Sequence, residues 1–347
     1  MAAEVYFIAP KQISSRTLEK VFARTRFLEQ FTLKDRLALK VHFGEKNNYN
    51  HLAPEYVKMI IEIIKKSQLK VSVVETSSLY RGARQNRTAH LKLAIEHGFS
   101  EEYLNAPIEI LDGERGEEYF EVPTPFTSVK KAKLARGLQN FSGIVNLAHF
   151  KGHFVVGFGG ALKNIAMGLA AKGGKLEMHS ETKLSIKEVK CQKCKKCLEV
   201  CPAQAILITE TSSLITNKCV GCACCVEVCP IGAIKINWDS ASETTQVRMA
   251  EYVWAILQNR RAIHFNFAIK ITPNCDCMDF TEDPMMPDIG LFASLDPVAC
   301  DNAVWEQVHI AIRNLYPQLN PEIILEYSEK IGLGTRKYKL IEIKDEE

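Results

Sequence analysis

The chain lacks a hydrophobic run long enough to cross a membrane. Its best apolar stretch, Val155 to Ala171, is rich in glycine and is interrupted by Lys163, whereas a membrane-spanning helix needs about 20 predominantly apolar residues. The N-terminal sequence MAAEVYFIAP lacks the basic region and long apolar core of a secretory signal and is predicted to begin a strand. These absences lead us to expect a cytoplasmic protein with no membrane partner.

The chain also lacks an excess of charge of either sign. It has 44 Lys and Arg residues and 41 Asp and Glu residues, and the net charge of +3 is too small to indicate a nucleic-acid partner. Apolar residues make up 46% and charged residues 24% of the 347 positions, which is typical of a soluble globular protein. This length allows one large domain with an insertion, or two domains.

Cysteine, in contrast, is abundant. Nine of the twelve cysteines lie in two runs, CQKCKKCLEVCPAQAI from Cys191 and CVGCACCVEVCPIGAI from Cys219, in which eight of them repeat after 28 residues. Both runs follow the pattern C-x2-C-x2-C-x3-C-P of bacterial ferredoxins, in which the fourth cysteine of each run ligates the other cluster. Structural zinc is the less specific alternative, because zinc sites usually pair C-x2-C units at variable distance and often include histidine.

The repeat therefore predicts two [4Fe–4S] clusters held by reduced thiols rather than disulfides. The first would use Cys191, Cys194, Cys197 and Cys229, and the second Cys219, Cys222, Cys225 and Cys201. Cys224 is left over beside Cys225 and is expected to be a packed thiol. We refer to residues 186–238 as the cysteine segment.

The rest of the chain alternates strand-like and helix-like runs. Predicted strands are Arg36–Phe43, Leu69–Glu75, Ser142–Ala148, Ala262–Ile271 and Lys337–Ile343, and predicted helices are Pro54–Lys66, Ala89–Gly98, Ala161–Ala171, Gln246–Leu257 and Asp296–Leu315. This alternation favours an α/β body with a mostly parallel sheet, formed by residues 1–185 and 239–347. The cysteine segment is predicted to be an α+β ferredoxin-like domain inserted into this body.

Residues 149–180 concentrate polar groups in apolar surroundings. The histidines and lysines of this stretch are His149, Lys151, His153, Lys163 and His179. Such a density of ionisable side chains indicates a catalytic or binding site. Three glycines, Gly157, Gly159 and Gly160, precede a predicted helix, whose free amides could bind an anionic cofactor. They lack the spacing of a phosphate-binding or dinucleotide motif, so packing or turn glycines are the alternative.

Two further pairs of residues are site candidates. Lys40 and His42 end a predicted strand, and ligands gather at the carboxyl ends of parallel strands; an exposed pair is the alternative. Cys275 and Cys277 in NCDCMDF are not needed by the predicted clusters. They can bind a metal or line a redox pocket, or they are buried structural thiols.

Four stretches carry a resemblance that covers most of the chain. These are LALKVHFGE, GHFVVGFGGALKNIAMGLA, the two cysteine runs, and DIGLFASLDPVACDNA. The chain resembles iron–sulfur-centre proteins that combine the domain of unknown function 362 with a ferredoxin module. The resemblance implies the architecture described above and leaves the reaction open.

A second resemblance is confined to the middle of the chain. The spacing H-x9-K-x15-H of His153, Lys163 and His179 is similar to the cofactor segment of nickel-pincer lactate racemases. This resemblance implies an acid/base role for His153, covalent attachment of the cofactor to Lys163, and metal ligation by His179. Met167 stands where that family usually has proline before the glycine.

Together these patterns suggest three functions. The first is an oxidoreductase that passes single electrons from an electron carrier such as ferredoxin or flavodoxin to a site for a small anionic substrate. The second is a non-enzymatic electron-transfer adaptor, and the third a racemase-like metal-cofactor enzyme with structural clusters. Several lysines near the first cluster suggest docking of an acidic carrier: Lys187, Lys190, Lys193, Lys195 and Lys196.

Overall fold

A computed structural model of the chain describes residues 2–180 and 184–345. The strands are β1 (Ala3–Ile8), β2 (Arg36–Lys40), β3 (Lys70–Glu75), β4 (Ile108–Ile110), β5 (Tyr119–Pro123), β6 (Lys131–Ala135), β7 (Gly143–His149), β8 (Lys151–His153), β9 (Gly157–Gly159), β10 (Ser185–Ile186), β11 (Ile206–Ile208), β12 (Ser213–Ile215), β13 (Ile234–Lys235), β14 (Arg261–Ala268), β15 (Gly290–Ser294) and β16 (Tyr338–Glu342). The helices are α1 (Ser15–Thr25), α2 (Pro54–Lys66), α3 (Arg87–Glu96), α4 (Glu101–Leu104), α5 (Ala161–Leu169), α6 (Lys172–His179), α7 (Lys196–Glu199), α8 (Cys224–Val228), α9 (Ser242–Leu257), α10 (Pro297–Leu315) and α11 (Ile323–Lys330).

Eight strands form a central sheet in the order β16-β1-β15-β14-β7-β2-β3-β4. Neighbouring strands are parallel except for β15, which runs antiparallel to both β1 and β14. The central strand β7 is buried along its whole length, as expected for a strand covered on both faces. The predicted α/β body with a mostly parallel sheet is confirmed.

Helices pack on both faces of this sheet. One apolar core joins α5, α9, α10 and α11 to the sheet, and a second core joins α1 and α2 to the opposite face. Helix α10 begins as predicted, because the side chain of Asp296 accepts hydrogen bonds from the amides of Val298 and Ala299, both at 2.9 Å. Among the described residues, none of the helices has the length and hydrophobicity needed to cross a bilayer.

The cysteine segment has its own small sheets and helices. Strand β10 pairs with β13 and β11 pairs with β12, all antiparallel. The 28-residue repeat of the sequence is also a repeat of backbone conformation: Lys195 and Ala223, 28 residues apart, have φ of 62° and 55° and immediately precede α7 and α8. The two cysteine runs therefore fold as two similar halves.

Candidate functional site

A cavity of about 770 Å³ opens where the parallel strands β2, β3 and β7 end. Of the residues predicted for a site in the body, its lining includes Lys40, His42, His153, Gly159, Gly160, Lys163, His179, Cys275 and Cys277. Gly157 lies against Pro321 instead: it has a φ of 85°, and a Cβ there would be 2.3 Å from Pro321 Cγ. Residues far apart in sequence thus meet at the carboxyl edge of the sheet.

The strand ends supply a buried charge network. Lys40 Nζ lies 3.2 Å from Glu75 Oε1, and His42 Nδ1 lies 2.9 Å from Glu75 Oε2. Burial alone would raise the pKa of Glu75, but Lys40 and His42 outweigh it and hold this pKa well below its ordinary value. Burial lowers the pKa of His42 to about 4. Glu75 is therefore ionised and His42 neutral at pH 7.

The loop after β3 adds a second ion pair. Arg84 Nε lies 3.2 Å from Glu45 Oε2 with both side chains buried, and Arg84 also contacts the hydroxyl of Tyr80. Glu45, Glu75 and Tyr80 were not predicted as site residues. Glu45 ends the motif LALKVHFGE and Glu75 ends a predicted strand. These positions could have marked both residues as site candidates, but only the folded structure shows which cations they pair with.

A third group joins the β8–β9 hairpin, α5 and the turn at residues 275–278. Lys163 Nζ donates to Cys275 Sγ at 3.5 Å. Burial would lower the pKa of Lys163, but the sulfurs of Cys275 and Cys277 outweigh it and raise this pKa. Burial holds the pKa of His153 well below its ordinary value and lowers that of His179 to about 4, so both imidazoles are neutral at pH 7.

The turn at residues 275–278 is fixed by Asp276. Its carboxylate lies 2.9 Å from His149 Nδ1 and 2.8 Å from Lys151 Nζ, with all three side chains buried. Burial would raise the pKa of Asp276, but His149 and Lys151 outweigh it and hold this pKa well below its ordinary value. Two of the polar residues singled out in the sequence thus support the turn that carries Cys275 and Cys277.

The start of α5 differs from the expected anion site. The amides of Ala161 and Leu162 donate to the carboxylate of Asp301, at 2.6 Å and 3.0 Å. Asp301 is buried, and burial raises its pKa to about 6. Because a carboxylate of the chain itself already occupies these amides, Gly159 and Gly160 line the cavity without offering a free helix N-terminus to a ligand.

The cavity as a whole carries more positive than negative charge. The cationic residues of its lining are Lys40, Lys46, Arg81, Arg84, Lys151, Lys163 and Lys175, and the acidic ones are Glu45, Glu75 and Asp279. Because cationic side chains outnumber acidic ones, this lining favours an anionic molecule over a cationic one.

Two smaller cavities lie within the cysteine segment. One is lined by Cys191, Cys194, Cys197 and Cys229, and the other by Cys201, Cys219, Cys222 and Cys225. Each cavity thus takes three cysteines from one run and the fourth from the other. The amides of Ala205 and Ala233 donate to the sulfurs of Cys201 and Cys229, both at 3.2 Å, so the two fourth cysteines have equivalent backbone partners.

The large cavity adjoins the cysteine segment. Leu79 lines the cavity and also packs in the apolar cluster that contains Cys225 and Cys229. Arg81 lines the cavity too, and its guanidinium donates to the carbonyl oxygen of Cys229 at 2.6 Å. Trp238, at the end of the cysteine segment, stands edge-on to His179 with ring centroids 5.4 Å apart. Leu79, Arg81 and Trp238 therefore connect the large cavity to the cysteine segment.

The chain matches no curated protein, but it is similar to two solved structures. The lactate racemase apoprotein from Thermoanaerobacterium thermosaccharolyticum is 13% identical with a TM-score of 0.42, over 88% of this chain and 57% of that one. A Thermotoga maritima protein solved by a structural genomics consortium is 11% identical with a TM-score of 0.41, over 93% and 60%. The chain thus spans less than two thirds of the length of either.

A family model matches a continuous stretch of the chain. Residues 37–306 match the family described as Domain of unknown function (DUF362), and this range includes the residues of the large cavity and both cysteine runs. The match covers more than half of the chain. The chain therefore belongs to the family Domain of unknown function (DUF362).

Proposed function

We propose that this protein is an iron–sulfur oxidoreductase, in which the cysteine segment holds two [4Fe–4S] clusters and the body holds a small anionic substrate in its large cavity. The observation that carries the proposal is the division of eight cysteines into two sets of four, each with its fourth member from the other run. A ferredoxin-type repeat requires this exchange, whereas two independent zinc sites do not.

The donor groups fit such clusters. Four thiols face each small cavity, the remaining lining is mostly apolar, and backbone amides donate to Cys201 and Cys229. Amide donors to sulfur stabilise the negative charge of a thiolate-bound cluster and help set its potential. When bound, the clusters supply one-electron transfer. The chain's own part is to shield them and to place Cys229 next to Arg81.

The large cavity offers groups for binding and proton transfer beside the cysteine segment. Its cationic lining would hold the anionic substrate, and Arg81 connects the lining to the carbonyl of Cys229. The imidazoles of His42 and His179 are neutral at pH 7, and a neutral imidazole can accept a proton at its free ring nitrogen. Lys163 is held as a cation by the two nearby sulfurs.

The test is metal and sulfide counting on anaerobically purified protein. We expect about eight iron and eight sulfide per chain, since two [4Fe–4S] clusters contain that number. Cys225→Ser should lose one cluster, whereas the matched control Cys224→Ser, one residue away and outside the lining of either small cavity, should keep both. Zinc in place of iron and sulfide in the wild-type protein would overturn the proposal.

The role of the body needs a separate measurement. If a small anion co-purifies with the wild-type protein, Lys163→Ala should reduce the amount bound, while iron content and the electron paramagnetic resonance spectrum stay unchanged. Loss of the clusters in this variant would instead make Lys163 a structural residue.

A racemase-like enzyme is the second candidate, favoured by one observation. His153, Lys163 and His179, whose spacing resembles that of the nickel-pincer racemases, all line the same cavity. Lys163 would carry a covalently attached cofactor and His179 would bind the metal. Mass spectrometry of the intact protein decides this: an adduct on Lys163 together with nickel supports it, and an unmodified Lys163 excludes it.

The partner we propose is an acidic electron carrier such as ferredoxin or flavodoxin. Lys187, Lys190, Lys195 and Lys196 are exposed beside the first set of cysteines, and Cys194 of that set is itself exposed. Long-range attraction would bring an acidic carrier to this face.

A further inference from the structure

A thiol–imidazole cluster in the body lies apart from the two cysteine runs. One ligand atom each from His153, Cys275 and Cys277 lies within 4.8 Å of the other two, and all three residues line the large cavity. None of the three is needed by the iron–sulfur proposal. We propose that His153, Cys275 and Cys277 form a mononuclear zinc site whose fourth coordination position opens into the cavity.

The chain is built to bring these donors together. The amide of Gly152 donates to the carbonyl of Thr272 at 2.9 Å, and a Cβ on Gly152 would lie 2.1 Å from the carbonyl oxygen of Pro273. Only glycine therefore lets β8 approach the segment before Cys275 this closely. This contact places His153 beside the two cysteines.

The turn that carries the cysteines is held from three sides. The carboxylate of Asp276 is bound by Lys151 at 2.8 Å, the carbonyl of Asp276 accepts from the amide of Glu45 at 2.9 Å, and the carbonyl of Cys277 accepts from the Tyr80 hydroxyl at 2.9 Å. A metal site gains affinity when the backbone and second shell fix its ligands in advance. Cys275 and Cys277 are two positions apart in this turn, so the same contacts fix both sulfurs.

The donor set points to zinc. Two thiolates and one imidazole suit a soft or borderline ion and bind Zn²⁺ in tetrahedral geometry. Structural zinc sites use four protein ligands, whereas three ligands with one open position are typical of catalytic zinc. The open position would face Lys163, whose Nζ is 3.5 Å from Cys275 Sγ. A substrate oxygen bound there would meet both the metal and an ammonium group.

Zinc binding has a defined proton balance. Each cysteine that enters as a thiol releases one proton, so binding of Zn²⁺ to two thiols releases two. The amides of Val155 and Val156 contact His153 Nδ1 at 3.2 Å and 3.3 Å. A metal at Nδ1 displaces these amides, and a metal at Nε2 moves the ring hydrogen to Nδ1, so both contacts break on binding. With His153 on the metal, His42 and His179 remain for proton transfer.

The experiment uses the full-length protein, purified anaerobically, freed of loosely bound metal with a mild chelator and then titrated with Zn²⁺. We expect one zinc ion per chain, and X-ray absorption at the zinc edge should show two sulfur ligands and one imidazole. His153→Ala, Cys275→Ser and Cys277→Ser should each weaken zinc binding by about tenfold or more. The control is Cys300→Ser. The thiol of Cys300 is buried elsewhere in the body and donates hydrogen bonds to backbone carbonyls.

The outcomes separate this inference from the iron–sulfur proposal. Iron and sulfide are counted in the same samples, and their retention in each variant shows that the protein has folded. Equal zinc affinity in the wild type and the three variants, or zinc bound by four sulfurs, would overturn the inference without touching the clusters. Zinc bound by two sulfurs and an imidazole in a protein that lacks iron would support the inference and remove the iron–sulfur proposal.

Discussion

The body and the cysteine segment are stabilised by different means. In the body, large apolar side chains pack on both faces of an eight-stranded sheet. The core of the cysteine segment has eleven buried residues, of which three are cysteines and three, Leu79, Leu176 and Leu184, belong to the body. So small a core rarely supports folding without bound metal. The comparison suggests that apolar packing stabilises the body, whereas the segment depends on the clusters that we propose its cysteines bind.

The two regions also differ in how they bury reactive groups. Several buried charges in the body have opposite charges beside them, as in Lys40 with Glu75 and Lys151 with Asp276. The buried thiols of the cysteine segment face cavities lined mostly by other cysteines and apolar residues. Ion pairs thus compensate these buried charges in the body, whereas the thiols of the segment have mainly apolar and thiol neighbours.

Removal of the iron that we propose for the cysteine segment is the strongest test of this comparison. We expect anaerobic chelation to destabilise the cysteine segment by about 3 kcal/mol or more, because metal binding and folding are coupled in small metal-dependent units. Hydrogen exchange followed by mass spectrometry should then be at least about a hundredfold faster in residues 186–238. Strands β7 and β14 of the body serve as the internal control and should keep their protection. Unchanged exchange in the segment would show that its small core suffices.

Titration of Lys175 tests charge compensation inside the body. Its ammonium donates to the Thr76 hydroxyl at 2.8 Å and has no carboxylate at salt-bridge distance among the described residues. Burial lowers its pKa from 10.5 to about 8. Below pH 8 the folded chain must therefore carry a charge that burial disfavours, and this cost disappears as pH rises from 8 towards 10.5, because the unfolded chain then binds the extra proton.

The free energy of unfolding should reveal this cost. Relative to Lys175→Met, the wild type should gain on the order of 2–3 kcal/mol between pH 8 and 10, as measured by urea unfolding of iron-loaded protein. Lys131→Met, at an exposed surface pair with Glu121, is the control and should show no such difference. If the difference in the free energy of unfolding between wild type and Lys175→Met stays constant across this range, the pKa of Lys175 does not lie near 8.

The parts of the fold that depend on local pattern were predictable. Strand β3 and helix α2 were placed from apolar periodicity and turn residues, and the parallel sheet followed from their alternation. Periodicity did not separate α5 from α6: the predicted helix over 161–171 ends at Leu169, and a second helix then carries His179 to the cavity. The antiparallel position of β15 depends on contacts with β1 and β14, which no local pattern records.

The site was predictable in its reactive residues but not in their partners. His153 and Lys163 stood out because histidines and lysines are dense in apolar surroundings there, and Cys275 stood out because the predicted clusters do not need it. Asp301 did not, because nothing in its neighbourhood indicates that it crosses to the start of α5 and occupies the amides expected to bind an anion. Contacts between residues far apart in sequence are set by the whole fold. A single sequence therefore identifies reactive side chains more readily than the partners that satisfy their charge and hydrogen bonds.

The smallest expected effect concerns the outer face of the cysteine segment. Three exposed lysines, Lys190, Lys195 and Lys196, flank the first set of cysteines. Replacing all three with glutamine should slow reduction of the protein by an acidic electron carrier by roughly tenfold at low ionic strength, because attraction steers the encounter. The difference should vanish near 1 M salt, where the Debye length is about 3 Å.

A matched variant on the body separates steering at this face from the effect of net charge alone. Replacing Lys65, Lys66 and Lys131 with glutamine removes the same charge from exposed positions on the α/β body. Stopped-flow reduction of this variant should stay within about twofold of the wild type at 0.1 M salt, since distant charges are screened beyond a Debye length of about 10 Å at this concentration. Equal slowing of both variants would assign the effect to overall charge, and the carrier would then have no preferred face on the cysteine segment.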